Sequence, residues 1–282
     1  PDLYRRIAGT IESLFLAPYQ VEAYRKELVE ARRRWVEKFS LLETPDEDIG
    51  SLMRRLQETL GWSREQAHDF LMVLGRQTAL AGILRVLYLK RLESSVEALR
   101  ISLHRLSRFL EKFLQAMDAG RLLSSGDFRR WLHSEASDDE GEEKENNFED
   151  FLANLPALPA DRYDVESLRA AVATDLEAIG GVLKELEPER SDVKLDVLKQ
   201  LLASDELRGR KVVVFSYFKD TARYIYERLQ DGASNGRIAI VDSDVKPAER
   251  TERIRRFAPR ANGRPDLPPD EEIDLLVSTD VL

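Results

Sequence analysis

Lys211-Val-Val-Val-Phe-Ser216 is the stretch on which the fold of this chain turns. Val212 to Phe215 are apolar, too few for a helix and mostly β-branched. Gly209 and Arg210 lead into them, and Ser216 to Thr221 follow as a polar turn. Such a run predicts a strand buried on both faces, the kind a parallel sheet supplies. Beyond the turn, Ala222, Tyr226 and Leu229 recur at helical spacing, so the unit reads as strand, turn and amphipathic helix.

Downstream the pattern repeats. Arg237 to Val241 predict a second strand and Pro247 to Phe257 a helix, with Pro247 in its first turn. A Pro-, Gly- and Arg-rich loop over 258–269 leads to Ile273-Asp-Leu-Leu-Val-Ser-Thr279, a third buried strand. Alternation at this spacing implies crossovers and a parallel sheet. Residues 192–202 form a short amphipathic helix ahead of the first strand.

Upstream everything reads as helix. Leu3, Ile7, Ile11 and Leu14 mark one over 2–16, and Tyr24, Leu28, Ala31, Trp35 and Phe39 another over 18–39. Thr44-Pro-Asp-Glu47 and Ser63-Arg-Glu-Gln66 are helix starts in which the hydroxyl caps and the residue three on closes the box. From Ser63 to about Leu89 the pattern grows apolar, which predicts a helix buried on most sides. Val96, Leu99, Leu103, Leu106, Leu110 and Leu114 stripe a helix over Ser94 to Met117, with Gly120 as its stop. Asp164 opens another, in which Gly180-Gly181 predicts a bend or a close helix contact. The expected architecture is α/β: a helical bundle region over 1–190, then a partial parallel-sheet lobe over 191–282.

The chain has 282 residues and a net charge of −9. That charge is unevenly spread: residues 1–133 carry +4, 134–190 carry −12 and 191–282 carry −1. The acidity thus belongs to one segment and leaves room for a basic face elsewhere. Its centre, Asp138 to Glu145, has no apolar side chain of any size, so a mobile acidic loop is expected near 134–147. There is no cysteine, which excludes disulfides and thiolate metal sites, and His68, His104 and His133 are far apart, so no metal site is expected. No run reaches the roughly 18 apolar residues of a membrane span, and no signal peptide is evident; a cytoplasmic protein with no membrane partner is expected.

No Gly-x-x-x-x-Gly-Lys-Ser/Thr loop, Gly-x-Gly-x-x-Gly turn or Gly-x-Ser-x-Gly elbow is present, so no complete catalytic apparatus is expected in this chain. What the pattern does offer is phosphate handling at strand ends. In open parallel sheets ligands sit beyond the carboxyl ends of the strands, where helix N-termini present free N–H groups. Ser216 to Thr221 and Ser278-Thr279-Asp280 are polar ends of that kind, although the same residues also serve as helix caps.

Lys211 to Thr221 resembles motif IV of superfamily-two helicases. Ala248-Glu-Arg250 with Ile254 and Phe257-Ala-Pro259 resembles the arginine-bearing helix that follows, and Ile273 to Leu282 resembles the first half of motif V. Leu89-Lys-Arg-Leu-Glu-Ser-Ser95 and Asp192-Val-Lys-Leu195 resemble segments of the bacterial Swi/Snf-like branch. In that family two RecA-like lobes close over ATP and step along nucleic acid. The resemblance implies that Ser216, Lys219 and Thr221 lie at the tracking-strand phosphates with Arg250 supporting them. It implies that Ser278 and Thr279 contact phosphate and that Asp280 couples this contact to the nucleotide site. ATP and Mg2+ would belong to the parent enzyme, with none bound to this piece. The partner would be nucleic acid, DNA favoured, with a further protein partner through the helical region.

Three departures stand out. Ser243 occupies a position where the family has Gly, motif V is cut at Leu282, and motif VI and the first-lobe motifs are absent. The expectation is therefore a piece of a double-stranded DNA translocase that is inactive by itself. Two alternatives remain open at this point: a non-enzymatic interaction module built on the helical bundle, and part of a DEAD-box-type RNA helicase.

Overall fold

The structure, a computed structural model, describes residues 2–26, 53–54, 57–58, 61–122, 154, 157, 161–186, 192–230 and 237–279. The acidic stretch near 134–147, the helix expected from Thr44 and the coupling residue Asp280 lie outside them. The chain divides into two units: Pro1–Val86 with Leu106–Val182, and Leu87–Arg105 with Leu183–Leu282.

In the first unit, helix α1 (Asp2–Ser13) buries Ile7 and Ile11. Where the helix expected over 18–39 begins, a 3-10 helix, Ala17–Tyr24, is found instead, with Gln20 breaking it at φ −127°; residues 27–39 lie outside the described residues. Helix α2 (Arg64–Ser94) opens on the predicted box: the Gln66 N–H donates to Ser63 Oγ at 3.1 Å, and the Ser63 N–H donates to Gln66 Oε1 at 2.8 Å. Helix α3 (Val96–Asp118) buries Leu99, Leu103, Leu106 and Leu110 of its expected stripe and adds Phe109 and Phe113. Gly120 ends it at φ +70°, a conformation that favours glycine. Helix α4 (Val165–Glu185) is capped by Asp164, which accepts from Ser167 N–H at 3.0 Å and from Ser167 Oγ at 2.7 Å.

Two expectations about these helices are corrected. The apolar run of α2 is not buried on most sides: Ile83 is 57% exposed and Val86 51%, with Leu80 and Leu87 also exposed. Apolar periodicity shows which side chains favour burial, not whether a neighbour covers them. Gly180-Gly181 makes no close contact among the described residues either, since a Cβ at either position would meet none of them within 4 Å, and α4 runs through both from Val165 to Glu185.

One polar staple holds the first unit together from far apart in sequence. Asp175, 1% exposed, accepts the Phe15 and Leu16 N–H groups at 2.7 Å each. It thereby fixes Leu16 at φ +53°, an unusual conformation for leucine. Arg85 donates to the carbonyl of Leu14 beside it at 2.6 Å. Burial pushes the Asp175 carboxyl above the usual range, against the lowering effect of those two N–H groups and Arg85.

The second unit contains the sheet. Helix α5 (Val193–Leu202) is capped by Asp192, which accepts from the N–H groups of Lys194 and Leu195. Strand β1 (Val212–Phe215), helix α6 (Lys219–Gln230), strand β2 (Ile238–Val241), helix α7 (Pro247–Phe257), a 3-10 turn (Arg260–Asn262) and strand β3 (Leu275–Ser278) follow in order. All pairings are parallel and the spatial order is β1-β3-β2. From β1 to β2 the chain crosses β3's place, and from β2 to β3 it steps back. With crossovers of one hand, that reversal puts the two connecting helices on opposite faces. They are: α6 packs Ala222 and Leu229 against Ile238 and Val277, with Leu198 and Leu202 of α5 beside them. On the other face Phe257 of α7 packs against Ala239, Val241, Ile273 and Leu276.

This is the expected α/β arrangement, a partial RecA-like parallel lobe. One detail differs. The opening strand is not buried on both faces; Val212 to Val214 are half-buried and Phe215 is 65% exposed. Among the described strands β1 is an edge, and the fully covered centre is β3, where Leu276, Val277 and Ser278 are buried.

Candidate nucleic-acid interface

Parallel register brings the three carboxyl ends level. Phe215 and Val241 both pair with Ser278, so Ser216, Asp242 and Thr279 come next along one edge. Backbone bonds tie them: the Ser216 N–H donates to the Ser278 carbonyl at 2.9 Å and the Thr279 N–H to the Val241 carbonyl at 3.2 Å. Each strand end is polar because the chain must turn there, and each turn is held locally. Ser216 Oγ accepts from the Phe218 N–H at 3.3 Å, a turn that leads into the first residues of α6.

Lys219, at the start of α6, places Nζ 2.9 Å from Asp244 Oδ2. Arg223 stands one turn on, on the same helix face. Its Nε lies 2.9 Å from Asp242 Oδ2, and its Nη2 also bonds Asp244 Oδ2. The Asp242 side chain is only 2% exposed and accepts the Asp244 N–H through its other oxygen at 3.0 Å. Among the described residues, Lys219 and Arg223 of α6 thus interlock with Asp242 and Asp244 of the loop after β2. Arg250 of α7 points Nη2 at the carbonyls of Asp242 and Val245, 3.4 Å from each, and so supports that loop from behind.

The other expected contacts are placed inside. Ser278 is fully buried, with Oγ 3.0 Å from the Val241 carbonyl, and Thr279 is 5% exposed. Thr221 is 3% exposed; its hydroxyl lies 2.9 Å from Ser94 Oγ and 3.2 Å from Ser95 Oγ. Its neighbour Asp220 binds Arg91 at 2.8 Å and Arg105 at 3.2 Å, and the Arg91 guanidinium sits 4.8 Å over the Phe218 ring. The α2–α3 junction therefore braces the start of α6. Of the expected residues, Ser216 and Lys219 stand at the carboxyl edge of the sheet, Arg250 backs the loop after β2, and Thr221, Ser278 and Thr279 are buried.

Behind the brace, Tyr224 is pushed up to about 12, by burial first and then by the Asp192 carboxylate to which it bonds. No group of three or more His, Cys, Asp or Glu able to hold a metal occurs among the described residues, and the carboxylates nearest the strand ends are already paired with Lys219 and Arg223.

Sequence reading missed Arg223, Asp242, Asp244 and the Arg91–Asp220–Arg105 brace. The first three carried a signal. Lys219 and Arg223 are four apart on one helix, and Asp242-Ser-Asp244 is a polar strand end by the same rule that picked out Ser216. The brace carried none, being built across more than a hundred residues of sequence.

Residues 193–282 match the family described as helicase conserved C-terminal domain. The match takes in α5, all three described strands and both helices between them, about a third of the chain. No curated protein and no solved structure matches the chain. This segment is similar to a helicase C-terminal domain, and its parallel sheet is that of a partial RecA-like lobe. No helix among the described residues is long and apolar enough to cross a membrane.

Proposed function

We propose that residues 193–282 supply the phosphate-gripping edge of an ATP-dependent double-stranded DNA translocase of the bacterial Swi/Snf-like branch. The observation that supports this is the common register of the three strand ends, which brings Ser216, Asp242 and Thr279 to one edge of the sheet in a segment that matches a helicase C-terminal domain. Ser216 and Lys219 meet tracking-strand phosphates directly. Thr221, Ser278 and Thr279 act from below, holding the backbone that faces the strand, and Asp280 links this edge to the nucleotide. Contacts of this kind fix register without reading sequence, as stepping along any sequence requires. ATP and Mg2+ are bound by the parent enzyme through parts other than these, so the chain alone turns over no ATP.

The test is a comparison of fluorescent duplex DNA with single-stranded RNA over a salt series. Duplex DNA should bind more tightly, with an affinity that falls by orders of magnitude between about 50 and 200 mM salt as counterions are released. Binding that ignores salt, or ATP turnover by the chain alone, contradicts the proposal. Preference for single-stranded RNA moves the assignment to the DEAD-box type.

A second role is favoured by the exposed Leu80, Ile83 and Val86 of α2, which suit a protein partner docking on the helical region. Replacing Ile83 with Glu should then abolish that docking and leave DNA binding unchanged.

A further inference from the structure

We propose that Tyr217 is a stacking platform for an unpaired nucleobase, so that the carboxyl edge of the sheet takes DNA in which at least one base stands outside the duplex. The inference rests on the strand-end reading above. It deepens that reading by naming the structural class of the ligand and a contact made to a base rather than to phosphate.

Tyr217 is the most exposed large apolar side chain among the described residues, at 81%, and Phe215, the last residue of β1, is 65% exposed. The Tyr217 ring is nonetheless held from behind. It meets the Phe218 ring edge-on, with centroids 5.0 Å apart and planes at 84°. The Arg91 guanidinium sits 4.8 Å over Phe218 and is itself bound by Asp220 at 2.8 Å. The helix junction that braces α6 thus also fixes the inner neighbours of Tyr217 and leaves its outer side to solvent. A ring already held in place, with one face free, gives up little freedom when a flat ligand settles on it.

The surroundings select that ligand. Exposed aliphatic side chains such as Val193, Val197 and Leu201 on α5 offer area to any apolar partner, whereas those at the carboxyl end of β1, Phe215 and Tyr217, are both aromatic. A ring adds a π-face that every base matches, whatever the sequence. Arg91 and Arg105 share the single carboxylate of Asp220, so that trio is net positive and favours a polyanionic strand over a neutral apolar segment. A base inside an intact duplex presents no free face, and extruding it costs more than one stack returns. A gap, fork or end presents that face already.

The experiment measures binding of the full chain, across a salt series, to three fluorescent DNAs of equal length. One is fully paired, one carries a gap of about five unpaired nucleotides, and one carries the same gap with abasic sites, which keep every phosphate and lack the bases. The intact gap should bind about 5- to 150-fold more tightly than the abasic gap, the worth of one base–aromatic stack. Tyr217→Leu, apolar but without a ring, should lose that factor on the intact gap and lose nothing further on the abasic one. Tyr217→Phe keeps the ring and should bind like the natural protein. The salt slope should be the same for all three proteins, because no phosphate contact is removed.

If intact and abasic gaps bind alike and Tyr217→Leu matches the natural protein on both, stacking is refuted while the strand-end reading stands on its salt dependence. An equal loss by Tyr217→Leu on both gaps also refutes it, since the ring would then act without a base. A change in the sedimentation of free Tyr217→Leu, with DNA binding intact, would make the ring an interface between copies of the chain and overturn the proposal. If none of the three DNAs binds at any salt, both readings fall.

Discussion

Replacing Asp220 with Ala should loosen the second unit specifically. Asp220 is the one acceptor for two arginines from the α2–α3 junction, with 11% of its side chain exposed. The Arg91 leg, at 2.8 Å with the arginine 25% exposed, is a charge-assisted hydrogen bond in a partly dry site, worth about 1.5–3 kcal/mol. The Arg105 leg, at 3.2 Å and half exposed, is worth about 0–1 kcal/mol. Losing both should cost about 2–3 kcal/mol, with Arg91 also less firmly held over Phe218. The segments of the second unit, 87–105 and 183–282, contain no tryptophan, so tryptophan fluorescence is the wrong probe. Amide exchange at Val213, Val214 and Leu276 reads the sheet directly, and the loss should speed it about 30- to 150-fold. A double-mutant cycle with Arg91→Ala should return a coupling above about 1 kcal/mol. Exchange within about twofold of the natural protein, or a coupling near zero, would refute the view that residues 87–105 brace this lobe.

Two predictions concern the first unit. Asp175→Ala leaves the buried Phe15 and Leu16 N–H groups without an acceptor and should cost about 2–4 kcal/mol in urea unfolding followed by tryptophan fluorescence, with Asp175→Asn costing less because one acceptor remains. Asp164 should contribute an acid-sensitive part of α4's stability, because its carboxyl is held below its usual range by the Ser167 hydroxyl first and its N–H second, whereas the burial-raised Asp175 of the same helix acts in the opposite sense. A depressed folded value means stability that is present above the unfolded value and lost as pH falls through the folded one. Below about pH 4 the natural protein should therefore lose ground relative to Asp164→Asn, which keeps a cap that does not titrate; parallel acid curves would contradict this.

Local features of the fold were legible because their causes are local. β-branched runs produced strands at Val212, Ile238 and Leu275, and side-chain caps started helices at Ser63, Asp164 and Asp192 where the spacing placed them. What failed depended on tertiary surroundings. The strand order β1-β3-β2 left Phe215 on an edge, which no property of Lys211–Ser216 encodes. The exposed run in α2 and the harmless glycines of α4 show the same limit, as does the 3-10 segment at Ala17, where Gln20 kinks the chain. At the candidate site, residue types singled out the polar strand ends, but which hydroxyls face outward depends on packing. Thr221 and Ser278 turned inward, and the charges gathered there, Arg223, Asp242 and Asp244, sat one helical turn or one strand away from the residues first chosen.

The most direct test of the central claim is hydrogen–deuterium exchange of the chain with and without duplex DNA. Binding should slow exchange at residues 216–221 and 243–250, around the carboxyl ends of the strands, and leave 208–212 and 272–274 at the opposite ends unchanged. Protection confined to those amino ends, or spread with no preference between the two edges, would contradict it.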